Sequence, residues 1–185
     1  MAKNLFFVIL GATPADRYTE QHDVFFGIGD SLGELLPDME AFWPGTKLHI
    51  DSWRCVTNVN GYAVKVVSKE GGPLVSKEKL FFLNLGGYKP GDMEEYHYKL
   101  LCAAVDKGAA VKQASQTAFY QHTGFAGATS HIDDKYGVDV DDIHEIEDIL
   151  PASLKTKYSI VLEKNDEPGL EDELHIGYVK LSSLM

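Results

Sequence analysis

The chain repeats itself, and this constrains its fold more than any other feature of its 185 residues. Leu5-Phe6-Phe7-Val8-Ile9-Leu10-Gly11 lies over Leu80-Phe81-Phe82-Leu83-Asn84-Leu85-Gly86 at an offset of 75, and the match continues without a gap to Gly29 over Ala104. Seven of these 25 positions are identical, Glu20/Glu95 and His22/His97 among them, where about one or two are expected from average composition. Two residues are added in the second copy before Ala41-Phe42-Trp43 meets Ala118-Phe119-Tyr120, and five more before His49-Ile50-Asp51 meets His131-Ile132-Asp133. Three blocks in the same order predict a duplicated unit. The copies span residues 1–70 and 76–150, with the Gly- and Pro-containing stretch Ser68–Pro73 between them and residues 151–185 beyond, all in one compact pseudo-symmetric molecule.

Within a copy, Leu5 to Leu10 is a continuous apolar run ended by glycine, which predicts a strand covered on both faces. After an eight-residue polar loop, Val24, Phe25, Ile28, Leu32, Leu35 and Leu36 follow helical spacing, with Pro37 as an interruption. Leu48-His49-Ile50-Asp51 alternates as a strand, and Asn60-Gly61 marks a hairpin. The second copy has a longer helical part, Asp92 to about Tyr120, loosened at Gly108, and an acidic strand or helical turn around Ile143–Glu147. A strand-helix-strand crossover implies parallel pairing. The expected fold is α+β: duplicated strand-helix-strand-strand units forming mixed sheets with helices packed on one side, followed by a C-terminal β-hairpin of Tyr158–Lys164 and Glu173–Leu181.

The charge balance narrows the partners. Seventeen basic residues against 28 acidic ones give a formal charge of −11 with no basic patch, so nucleic acid and anionic membrane surfaces are not expected partners. No segment approaches the roughly 18 apolar residues of a membrane span. The N-terminal apolar run is too short for a signal peptide and is nearly copied in mid-chain, so it belongs to the fold. Cys55 and Cys102 form no paired motif, consistent with a reducing, cytoplasmic setting.

Leu10-Gly11-Ala12, Arg17, Glu20-Gln21-His22-Asp23 and Phe26-Gly27-Ile28-Gly29 resemble the pattern of a small bacterial family, domain of unknown function 1543, which carries one or two copies per chain. The second copy is similar through Leu85-Gly86-Gly87, Glu95 and His97, but has Tyr98 in place of the acid and Cys102-Ala103-Ala104 in place of Gly-x-Gly. The resemblance covers about residues 5–55 and 80–135. It implies the domain boundaries and no particular activity.

Chemistry-bearing residues recur at matching places. Each copy has Glu-x-His after its first strand and His-Ile-Asp on a later one: Glu20, His22, His49 and Asp51, then Glu95, His97, His131 and Asp133. Imidazole beside carboxylate suits a divalent metal or general acid/base work. His49 and Asp51 point the same way on a strand, whereas Glu20 and His22 converge only if their segment is extended, since residues two apart on a helix diverge. The same acids also fit helix N-termini and the histidines a solvated strand face. Arg17 is an anion-binding candidate beside the Gly11-Ala12 corner of the first copy, where the Gly86-Gly87 corner of the second has only Lys89 nearby, and Asn84 is a polar residue in an apolar strand that needs a partner or faces a pocket. Asp139-x-Asp141-Asp142 lacks the glycine and glutamate of a calcium loop. The Gly-rich insertion 121–130 reads as a lid or as a longer connection. No nucleophile signature is present. The expectation is a non-enzymatic module that binds a small ligand or a protein partner, as a monomer or a homodimer. The alternative is a metal-assisted or general acid/base hydrolase using the repeated sets. Cofactor, metal identity and catalytic residues stay open.

Overall fold

A computed structural model of the chain describes residues 3–72, 74–88, 93–117, 139–165 and 171–184. It is α+β and falls into two compact units, Met1–Val75 with Ile149–Met185, and Ser76–Asp148. The apolar run Leu5–Leu10 forms the centre of β1 (Asn4–Ala12). Phe6, Val8, Leu10 and Ala12 face a core completed by Phe25, Leu32, Leu35 and Met39, while Leu5 and Phe7 are buried on the opposite face. Each such side chain contributes roughly 1.5–3 kcal/mol relative to exposure.

The segment read as a helix from Val24 is instead β2 (Gln21–Gly29), antiparallel to β1. Residues 25–29 are buried in succession, so the strand shows no alternation and its apolar residues mimic a helical run. The intervening loop is also too short for a parallel crossover, which takes a dozen or more residues, yet ample for a hairpin. The true helical residues come later, in a 3₁₀ turn (Leu32–Leu35) leading into α1 (Leu36–Phe42). Pro37 lies in the first turn of α1 and starts it rather than interrupting it. The chain then crosses back to β3 (His49–Val56) on the other side of β1, again antiparallel to it.

β4 (Asn58–Val59) and β5 (Tyr62–Ser68) turn about Asn60-Gly61, both at positive φ (50° and 79°), as a two-residue primed turn demands. The C-terminal pair does not form the expected hairpin. β9 (Tyr158–Lys164) adds to β5, burying Ile160 and Leu162, and β10 (His175–Lys180) adds to β3, so this unit holds sheets of order β10-β3-β1-β2 and β4-β5-β9. A polar loop between two apolar runs marks a reversal, but it does not decide which strand edge each run meets.

The second unit is built on the same plan. β6 (Lys79–Tyr88) is flanked by β7 (Glu95–Ala104) and β8 (Asp139–Glu145), both antiparallel to it. The long helix expected over Asp92–Tyr120 is thus strand to Ala104 and helix only in α2 (Lys107–Thr117). Asp106 caps α2 by accepting from the Ala109 backbone N–H at 2.8 Å. Ala110 and Ala114 of α2 pack on Phe81, Leu83, Leu85 and Cys102. In both units the helix covers one face of the sheet and leaves the face carrying Gly11 or Gly86 to other uses. Every pairing among the described residues is antiparallel, which corrects the expected mixed sheets.

Candidate metal centres

Antiparallel register assembles the first cluster. Gly11 on β1 stands opposite His22 on β2 and opposite His49 on β3, and directly paired residues share a face. Glu20, two residues before His22 at the mouth of the strand, is extended onto that face, so the condition for Glu20 and His22 to converge is met. A bulge in β3 between the Ile9/Ser52 and Leu10/Ile50 pairs leaves Asp51 as the extra residue and aims it at the same place.

Four side chains, from β2, β3 and the residue leading into β2, therefore meet over Gly11 of β1. His49 Nε2 lies 3.0 Å from Glu20 Oε1 and 3.3 Å from Asp51 Oδ1, while His22 Nε2 lies 3.1 Å from Asp51 Oδ2 and 3.6 Å from Glu20 Oε2. Donors held about 2.0–2.1 Å from one tetrahedral ion stand roughly 3.4 Å apart, the middle of this range. One donor atom from each of Glu20, His22 and His49 lies within 4.8 Å of the others. The inner wall is dry, with the His49 side chain 8% exposed, whereas Glu20 and His22 are 46% and 44% exposed and open the site to solvent.

Two atoms of this cluster are buried without a hydrogen bond: His49 Nε2 and Asp51 Oδ2. Carboxylate oxygens are close to that nitrogen, but the approach lacks hydrogen-bond geometry. The glycine below is required by space. A Cβ on residue 11 would stand 2.3 Å from His49 Nε2 and 2.8 Å from Asp51 Oδ2. Behind the imidazole, the Tyr178 ring of β10 packs against His49 with centroids 4.6 Å apart.

The second unit repeats this frame with other residues. Gly86 pairs with His97 on β7 and Asp139 on β8, and a bulge between the Asn84/Asp142 and Leu85/Val140 pairs leaves Asp141 as the extra residue. His97 Nε2 lies 3.3 Å from Asp141 Oδ2 and 3.9 Å from Glu95 Oε2, and donors of Glu95, His97 and Asp141 lie within 4.8 Å of one another. A Cβ on residue 86 would stand 2.5 Å from Asp141 Oδ2 and 2.8 Å from Glu95 Oε1.

Of the residues singled out in the sequence, Glu20, His22, His49 and Asp51 come together, as do Glu95 and His97. His131 and Asp133 lie outside the described residues, as does the insertion 121–130. In register, Asp139-Val140-Asp141 occupies the place of His49-Ile50-Asp51, eight residues beyond the block matched at His131, and Asp141 joins the cluster of Glu95 and His97. Its signal was Asp-Val-Asp against His-Ile-Asp, an apolar residue between two metal-ligand types. Arg17 stands apart, in an exposed turn where it pairs with Asp16 at 3.2 Å. No helix starts at Gly11 or Gly86, both of which lie inside strands, so the anion-corner reading falls. Asn84 shares the Gly86 face of β6, and its Nδ2 donates to Asp142 at 3.4 Å.

Comparison with known proteins adds fold but no chemistry. Residues 17–66 match the family described as Domain of Unknown Function (DUF1543). The crystal structure of protein Il1583 from Idiomarina loihiensis is similar over 97% of this chain and 98% of its own, with a TM-score of 0.62 and 22% identity. No curated protein matches the chain. Among the described residues, no helix is long and apolar enough to cross a membrane.

Proposed function

We propose that this chain is a duplicated metal-binding protein whose first unit holds one divalent transition-metal ion between Glu20, His22, His49 and Asp51. The observation that carries this reading is a pair of buried atoms without a hydrogen bond, His49 Nε2 and Asp51 Oδ2, within a cluster of four donors over a glycine floor. Two imidazoles with two carboxylates suit zinc, cobalt or a related ion. The binding module expected from the sequence thereby acquires a ligand class, a cation. The alternative hydrolytic reading is favoured by the exposed Glu20 and His22 side: there His22, His49 and Asp51 would hold the ion as a Lewis acid, leaving the exposed Glu20 carboxylate free to serve as general base.

The test is metal analysis of the purified full-length protein, with thermal melts in zinc and in EDTA. A ligand at 100 times its Kd stabilises the folded state by about 2.7 kcal/mol, so zinc should raise Tm by several degrees in the wild type and not in His49→Ala. A melt that ignores metals, with no metal retained, overturns the reading. Turnover of activated esters or phosphodiesters that requires both zinc and Glu20 would decide for hydrolysis over binding alone.

A further inference from the structure

The two clusters share a frame but not a donor set. Where Gly11 is opposite His49, Gly86 is opposite Asp139. The second cluster therefore has one imidazole, His97, among the carboxylates of Glu95 and Asp141, with a third acidic residue at the register position that holds imidazole in the first. It is also looser, with His97 pairs at 3.3 and 3.9 Å against 3.0–3.6 Å in the first unit. Carboxylate-rich, open sets select hard cations such as magnesium, manganese or calcium, which keep some of their waters, whereas two imidazoles favour zinc, cobalt and nickel.

We propose that the second unit carries a cation site of a different class: Glu95, His97 and Asp141, binding an oxygen-preferring divalent ion for which manganese is the working probe. Two features of this unit support a built site rather than a solvated acidic surface. The floor is Gly86, where a Cβ would displace the Asp141 and Glu95 carboxylates from their present positions. A β-bulge beside it spends one ladder position to bring Asp141 against His97. The proposal takes its frame from the reading of the first unit, while its donors and its ion class come from the second unit alone.

The experiment is titration of the full-length, EDTA-stripped protein with Mn²⁺, following loss of the free-ion electron paramagnetic resonance signal. The wild type should bind Mn²⁺. In a His49→Ala background, which disables the first site, Mn²⁺ binding should persist, and Asp141→Asn and Gly86→Ala added to that background should weaken it by at least about tenfold. Mn²⁺ binding that survives Asp141→Asn in that background, that needs His49, or that is absent in the wild type up to millimolar ion overturns the proposal. If Asp141→Asn does not fold, selective broadening of His97 ring signals by trace Mn²⁺ in the wild type supports it, and broadening confined to His22 and His49 overturns it. Manganese bound here with no zinc held by the first unit would leave this site standing and sink the proposed function instead.

Discussion

Gly11 and Gly86 occupy the same place in the central strands of the two units, each opposite a histidine on the following strand and each beside a bulged aspartate. What differs is the third strand. The first unit places His49 there, buried, with Nε2 beside the carboxylates of Glu20 and Asp51 but without a hydrogen bond, and with Tyr178 packed against its ring. The second places Asp139 at that position. A frame of three antiparallel strands, a glycine floor and a bulge is thus kept while the residue type at one register position changes. On this account the frame sets where a cation sits, and the third strand sets which cation.

Breaking the floor should have the largest effect. Gly11→Ala puts a methyl group 2.3 Å from His49 Nε2, so the imidazole must leave the cluster. We expect zinc affinity to fall by about 100-fold or more, with an overpacking cost of about 1–3 kcal/mol visible in urea melts. Changing the third strand should sharpen the comparison. Asp139→His is expected to raise cobalt affinity in the second unit by about tenfold, read by titrating that variant in a His49→Ala background. A smaller effect should follow from Tyr178→Ala. The aromatic contact behind His49 is worth roughly 0.5–1.5 kcal/mol, so zinc binding should weaken about two- to tenfold, with Tyr178→Phe close to wild type by calorimetry.

The smallest effect concerns the core beneath the second site. Burial pushes the Cys102 thiol up to about 11. The folded state thus holds the neutral thiol to a higher pH than the unfolded chain does. Its contribution is complete below the ordinary thiol range of about 8.5 and is lost as pH rises toward 11. The urea midpoint should decline between pH 9 and 11 more in the wild type than in Cys102→Ala, and Cys102 should resist alkylation at pH 8 until the chain unfolds.

Much of this was legible in the residues, for reasons that also explain what was not. The apolar runs of β1 and β6 read as strands because a strand buried on both faces needs no alternation. The same property hid β2 and β7, whose inner ends are buried on both faces and imitate a helical stripe. That single misreading turned antiparallel hairpins into parallel crossovers. The convergence of Glu20 with His22 depended on local conformation, which their spacing alone did not fix. His49 and Asp51 were legible as a pair because residues two apart on a strand share a face. Asp141 was missed because identity of residue type, His131 for His49, was preferred to register, and register comes from pairing across the sheet, which one strand's sequence does not contain.

Whether His49 and its neighbours hold a transition metal is read from visible absorption of the EDTA-stripped, full-length protein titrated with Co²⁺. We expect ligand-field bands that saturate at one tight equivalent, vanish in His49→Ala and His22→Ala, and persist in Asp141→Asn. Bands that persist unchanged in His49→Ala, or no bands at all in the wild type, would contradict it.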